Sequence, residues 1–425
     1  MRRIKKEIQV TYNNKLLILG IFPLICFIYA LIFSNSNLLN NYKEILIHPG
    51  ILITDYIYVG DFYSALLNMS LVAFINLAII FFFKIPVSGL IFAAYFVSIG
   101  FSAFGKTPIN IIPIYLGGFL YTKYERVSYK GIFGVMMFSA GLAPLVSFLM
   151  FNSNLSLTSN LIFSLLAGII VGFIMTPLSS HMLKFHDGYN LYNVGFTAGV
   201  LGNIFASLIR GKGLEIENYY NLSEAYDFEI KILLSIVFSI YILIGHYINQ
   251  RSFLGYDNIL VTGGRLLSDY ITTEGFGISL LNAGVLGMLS LAFTSFLGTT
   301  LNGALIAGIF TVFGFGALGK HPLNCIPIIV GVLIASYIRI WEYSSFYVAL
   351  AGLFGTTLAP ISGVYGPFMG ILVGFLHMFV VSNVGVIHGG INLYNNGFSG
   401  GMVAGVMIPL IHKFNLGEKW HDRKY

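Results

Sequence analysis

Fourteen residues near the middle of this chain return near its end. His186–Gly199 reads HDGYNLYNVGFTAG and His388–Gly401 reads HGGINLYNNGFSGG, with nine positions identical. The shared residues are mostly His, Gly, Asn, Tyr and Phe, polar and flexible types set among long apolar runs. A chain that carries such an element twice is built from two copies of one module, and the remaining sequence agrees. Asp55-Tyr56-Ile57 matches Asp269-Tyr270-Ile271, and Leu66-Leu67-Asn68 matches Leu280-Leu281-Asn282, both at an offset of 214 residues. GFSAFGKTPINIIP at Gly100–Pro113 matches GFGALGKHPLNCIP at Gly314–Pro327 at the same offset. Ala143-Pro144 also matches Ala359-Pro360. The domain reading is a first repeat over residues 1–210, an acidic connecting loop over 211–228 and a second repeat over 229–425.

Composition fixes the class. The chain is 56% hydrophobic and 9% charged, against about 25% charged residues in a soluble domain. That predicts an all-α polytopic membrane protein. Each half holds apolar stretches near the roughly 20 residues that span a bilayer, from Leu16–Ser34 to Leu191–Ile209 and from Ile230–Tyr247 to Ile391–Ile411. Leu16–Ser34 reads as a membrane helix rather than a cleaved leader, because Ile230–Tyr247 holds the matching place in the second half. Pro108–Thr122 is short and interrupted by proline, the pattern of a half-helix. Leu191–Ile209 and Ile391–Ile411 open in Gly- and Asn-rich sequence and read as broken or re-entrant, so about 10 to 14 membrane segments are expected.

Loop charge sets the orientation. Lys123, Arg126 and Lys130 make one basic loop, whereas the matching loop has Arg339 against Glu342, and the central loop is acidic. Losing basic residues at the equivalent loop suits inverted repeats. The net charge of +6 comes partly from the two ends, which suits cytoplasmic termini in a cell membrane and not nucleic-acid binding.

Two recurring elements concentrate the chemistry. In HxGxNLYNxGFxxG, glycines let the backbone leave helical geometry, and asparagine amides both donate and accept hydrogen bonds. Asn190, Asn193, Asn392 and Asn395 are therefore candidates to bind a polar solute, with Tyr192 and Tyr394 shaping its path. The plainer alternative is that they cap a buried helix break. In GxxAxGKxPxNxIP, Lys106 and Lys320 stand just before a proline, with Asn110 and Asn324 one turn further on. A lysine in lipid is costly and marks a pathway or an interface, unless it snorkels to water from a hairpin. His186 and His388 recur and are candidates for a proton relay, with helix capping as the alternative. Asp55 and Asp269 read as interfacial anchors, and the Gly168/Gly172 and Gly370/Gly374 pairs as helix packing. Cys26 and Cys325 lie in apolar runs and read as core residues.

Other chemistries have thinner support. Gly397-Phe398-Ser399-Gly400 has the GxSG form found around the nucleophile of rhomboid intramembrane proteases. The first copy has Thr197 instead, and only His412 and His421 follow to serve as a base. Gly100–Thr107 formally fits the phosphate-loop pattern, yet lacks the preceding strand that loop needs. No metal site and no cofactor is expected.

At its two motifs the chain resembles an uncharacterised bacterial family of two-repeat membrane proteins, a resemblance that spans most of the chain and implies no activity. More loosely, Gly188-Tyr189-Asn190 is similar to the turns of urea transporters, which implies inverted halves around a continuous pore; the second copy, Gly390-Ile391-Asn392, departs at the tyrosine. The resulting expectation is a transporter or channel for a small polar or anionic solute, with the site between the repeats near the bilayer midplane. Helix N-termini and the two lysines favour an anion. The expected partners are the bilayer, that solute and, as an open alternative, a second copy of the chain. An intramembrane enzyme and a non-transporting scaffold are the competing readings.

Overall fold

Apolar segments in a bilayer leave the backbone no hydrogen-bond partner but itself, so they fold as helices. The computed structural model describes residues 7–151, 156–216, 219–266, 268–338 and 344–416, and among these every extended element is helical. The first repeat contains α1 (Tyr12–Phe33), α2 (Phe62–Phe82), α3 (Gly89–Gly100), α4 (Pro108–Glu125), α5 (Tyr129–Ser139), α6 (Ala143–Phe151), α7 (Leu157–Met182) and α8 (Asn193–Gly211). The second repeats this order with α9 (Asp227–Ile248), α10 (Phe276–Phe296), α11 (Gly303–Phe315), α12 (Pro322–Tyr337), α13 (Ser345–Gly355), α14 (Ala359–Tyr365), α15 (Pro367–Val381) and α16 (Asn395–Phe414). Eight of the described helical segments are long and apolar enough to cross a membrane, and α11, α12, α15 and the Gly89–Ala103 segment are shorter apolar helices.

Two expectations about helix breaks are corrected. Residues 108–125 form one continuous helix through Pro113, not a half-helix; Thr107 and Asn110 close a capping box at its start and Pro108 sits in its first turn. The segments after the histidine motifs are not broken either: α8 and α16 run uninterrupted from Asn193 and Asn395, and the irregular backbone lies just ahead of them. The true interruptions are 3-10 turns at Ala140–Leu142, between α5 and α6, and at Thr356–Leu358, between α13 and α14. Each sits just before a proline, Pro144 or Pro360, which cannot donate the hydrogen bond a regular helix would need there.

The repeats pack as an inverted pair. Gly100, at the end of α3, lies against Ala307 near the start of α11, and Gly314, at the end of α11, lies against Ala93 near the start of α3. The two helices therefore run antiparallel. A twofold relating them crosses both rather than running along them, as an inverted duplication requires. A ring cluster of Phe96, Phe310 and Phe313 fills their contact. The small-residue pairs act in packing as expected: a side chain at Gly172 or Gly374 would collide with the carbonyl of Ile114 or Ile328. Arg339 and Glu342 of the charge comparison, and Glu217 of the acidic central loop, lie outside the described residues, while Lys123, Arg126 and Lys130 are exposed.

Hydrogen bonds interlock the halves. Asp55 accepts from Gly303 N, the first residue of α11, at 3.0 Å, and Asp269 accepts from Gly89 N, the first residue of α3, at 2.9 Å. The two aspartates are thus not free interfacial anchors. Each caps a helix of the opposite repeat, where negative charge suits the helix dipole.

Candidate functional site

The lysine turns are built first, by side chains of α2 and α10. Asn68 Nδ2 donates to Ser102 O at 2.6 Å and Lys106 O at 2.8 Å, and Asn282 Nδ2 donates to Gly316 O at 2.7 Å and Lys320 O at 2.8 Å. Asn110 accepts from Thr107 N and donates to Gly105 O and Ser147 Oγ. Asn324 accepts from His321 N and donates to Gly319 O. Both candidate asparagines are thus occupied in shaping the turn, and neither lines the two cavities described below.

The turns drive both lysines inward, so neither snorkels. Lys106 and Lys320 are fully buried. Lys106 Nζ donates to Met137 O at 3.1 Å and to the Tyr394 hydroxyl at 2.8 Å, and stands over the Phe101 and Tyr394 rings. Lys320 Nζ donates to Thr356 Oγ1 at 2.6 Å and to the Tyr192 hydroxyl, over the Tyr192 and Phe315 rings. Each lysine therefore holds the motif tyrosine of the other repeat. The one ion pair among the described residues is Lys231–Asp227, which includes neither lysine. Removing an ion from water costs several kcal/mol even after relaxation, and a desolvated cation–π contact returns about 2 kcal/mol. As ammoniums, the two lysines would thus be electrostatically uncompensated.

The histidine motifs also dock in the opposite repeat. Leu266 N donates to Gly188 O and Leu52 N to Gly390 O; Leu191 N donates to Thr357 O and Leu393 N to Gly141 O. Both motifs thus rest on the 3-10 interruption of the other half. The docking is unequal in detail. Asn190 Nδ2 donates to Gly397 O, and its Oδ1 accepts from Tyr192 N and from the Thr357 hydroxyl. Asn392 Oδ1 accepts from Tyr394 N, but its buried Nδ2 has no partner. The position equivalent to Thr357 is Gly141, where a side chain would collide with the Tyr394 ring.

Asn193 bonds His186 Nε2 at 3.1 Å and donates to Ser179 O at 2.9 Å, while Asn395 bonds His388 Nδ1 at 2.7 Å. The imidazoles sit edge-on to Phe196 and Phe398. Neither imidazole lines either of the two cavities described below, and neither bonds a lysine.

Where α8 and α16 begin, Gly195 and Gly397 touch backbone to backbone, which brings both helix N-termini to the twofold. A cavity of about 250 Å³ opens there. Equivalent residues of both repeats line it: Phe101 and Phe315, Leu191 and Leu393, Tyr192 and Tyr394, Gly195 and Gly397. Its walls are mainly apolar, with Asn193, Asn396 and the tyrosines as polar points. A second cavity of about 570 Å³, on the side of the second repeat, is lined by Asn395, Tyr219 and Tyr347 and shares Phe354, Leu393 and Asn396 with the first. Their outer ends match: Ser180 and Leu266 line the first, and Ser382 and Leu52 the second.

Of the predicted residues, the structure gathers Tyr192, Asn193, Tyr394, Lys106 and Lys320 around one chamber and sets Asn395 at the neighbouring one. Asn190, Asn392, Asn110, Asn324, His186 and His388 stand behind the walls. Sequence reasoning missed Phe101, Phe315, Met137, Thr356 and Thr357. The repeated Ala-Pro pairs just after the 3-10 turns were the available signal. Ser399 Oγ bonds back to Asn395 O within its own helix, and His412 bonds the Tyr365 hydroxyl; His421 lies outside the described residues. The described residues contain no group of three or more His, Cys, Asp or Glu that would hold a metal.

A family model described as "Protein of unknown function (DUF1576)" matches residues 34–211 and 248–413. The two matched segments fall on the two repeats and leave out α1 and nearly all of α9. No curated protein and no solved structure matches, so the likeness to urea transporters rests on the Gly-Tyr-Asn turn alone.

Proposed function

We propose that this chain, which belongs to the family of proteins of unknown function DUF1576, is a membrane transporter or channel for a small polar or anionic solute. One observation carries the reading. The chamber on the twofold is lined by both copies of the tyrosine motif, and each tyrosine is backed by a buried lysine of the other repeat. A structural core has no use for two uncompensated lysines, whereas a solute path does. The beginnings of α8 and α16, aimed at the same point, add positive dipole ends. The second cavity, with its matching outer end, supplies the second mouth that a route through the repeats needs. In this reading the solute lies against Tyr192, Tyr394 and Asn193, and passes Asn396 and Asn395 between Phe354 and Leu393. The chain is then not an enzyme. It resides in a cell membrane with both termini on the cytoplasmic side.

Uptake into proteoliposomes tests this directly. Wild type is compared with Asn193→Ala, Asn395→Ala and Tyr394→Phe over a set of labelled small anions and neutral polar solutes. At least one solute should enter with wild type and more slowly with Tyr394→Phe. Uptake of every solute at the rate of empty liposomes would leave the scaffold reading in its place.

A further inference from the structure

The protonation of the two lysines follows from counting their hydrogen bonds. Each Nζ has two oxygen partners: Met137 O and Tyr394 OH for Lys106, Thr356 Oγ1 and Tyr192 OH for Lys320. A neutral amine has two N–H bonds, and these partners satisfy both. An ammonium has three, and the third would face only aromatic rings. All four oxygens are uncharged. The titratable groups around Lys106 are Tyr394, with Tyr115 beside it, and around Lys320 are Tyr192 and Cys325. Among the described residues, no carboxylate or imidazole bonds either lysine.

We propose that the protein is a proton–anion cotransporter in which Lys106 and Lys320 are neutral in the empty chamber and share one proton taken up as the anion binds. The inference rests on the anion reading of the chamber given above. In the step, a proton from water forms the third N–H bond of a lysine while the anion enters, so amine, proton and anion become an ammonium–anion pair. Release reverses it, and for a monoanion and one proton no net charge crosses. The lysines do not line the cavity; the tyrosines do. Each tyrosine oxygen accepts from its lysine and turns its own O–H toward the anion, and such chains strengthen when one end is charged. The mainly apolar walls select an anion with an apolar body, a small monocarboxylate, over a hydrated inorganic ion. Because the two turns come from opposite repeats, either mouth meets the same pair of proton acceptors.

The test uses the purified full-length protein in detergent, titrated calorimetrically with benzoate, lactate and nitrate in HEPES and in Tris at one pH. The difference in heat between the buffers reads the protons taken up. Binding of benzoate or lactate should be tighter than that of nitrate, with close to one proton taken up per anion. Lys106→Met/Lys320→Met should bind more weakly with no proton uptake. Carboxylate binding with equal heats in the two buffers would overturn the coupling and leave the anion reading standing, whereas binding by none of the three would overturn both. A second readout needs no ligand and no variant. In protein labelled with ¹⁵N-lysine, two Nζ signals should lie at the neutral-amine position before benzoate is added, and one proton's worth of that intensity should move to the ammonium position after. Ammonium signals for every lysine in the empty protein would also overturn the proposal.

Discussion

At the scale of single residues, the lysines and Thr357 separate what binds from what holds. A buried lysine without a carboxylate is a weak source of stability, since it is either desolvated or neutralised, and an apolar side chain of similar length replaces such a group at little cost. Lys106→Met and Lys320→Met should therefore keep or raise the thermal unfolding midpoint in detergent while uptake falls to background. A drop in the midpoint of both variants would mark the lysines as structural. Thr357 is the reverse case. Its hydroxyl accepts from Tyr192 N and donates to Asn190 Oδ1, so Thr357→Val keeps the shape, removes both bonds and leaves Tyr192 N and Asn190 Oδ1 only the one they make with each other. A loss of about 0.5–1.5 kcal/mol is expected for each bond removed, read as a lower unfolding midpoint.

At the scale of elements, the exchanged caps make the fold depend on residues distant in sequence. Asp55 accepts from the backbone N–H groups of Ile57, Ser223 and Gly303, and Asp269 from those of Thr272 and Gly89. Losing a cap costs about 1 kcal/mol. Asp55→Ala should therefore destabilise the protein more than Asp269→Ala in parallel thermal melts, and the opposite order would mean that the caps contribute little. The helix breaks were misplaced for a related reason. Asn- and Gly-rich sequence at Gly188–Asn190 marked irregular backbone correctly, but it stands ahead of α8 rather than inside it. The mid-helix interruptions fall on Ala140–Leu142 and Thr356–Leu358, where only the prolines that follow give a local sign.

At the scale of the whole molecule, the repeats are not independent. Each motif docks on the other half, so neither half can bury its lysine or satisfy its motif loop alone. Residues 1–214 and 215–425 expressed singly should aggregate, and co-expressed they should copurify as one complex. A stable, monodisperse single half would contradict the interlock. The inverted arrangement also has a direct reading. Val127 and Ser344 occupy equivalent loops, so Val127→Cys and Ser344→Cys should react with an impermeant thiol reagent from opposite sides of the membrane. The native Cys26 and Cys325 are buried and add little background.

The duplication, the all-helical membrane class and the inverted repeats were legible because they depend on properties the chain carries locally: apolar run length, loop charge and motif spacing. The chemistry-bearing residue types were legible for the same reason, since Lys106 and Tyr192 stand out wherever they fold. Their partners were not. Lys106 meets Tyr394 across 288 residues of chain and Lys320 meets Tyr192 across 128, and no spacing along a sequence encodes a pairing that exists only once one repeat has folded onto the other. Tertiary structure alone decided that four of the six candidate asparagines, Asn190, Asn392, Asn110 and Asn324, would brace the walls rather than face a cavity. An amide satisfies a backbone group or a solute equally well, and only the surrounding packing determines which one it meets.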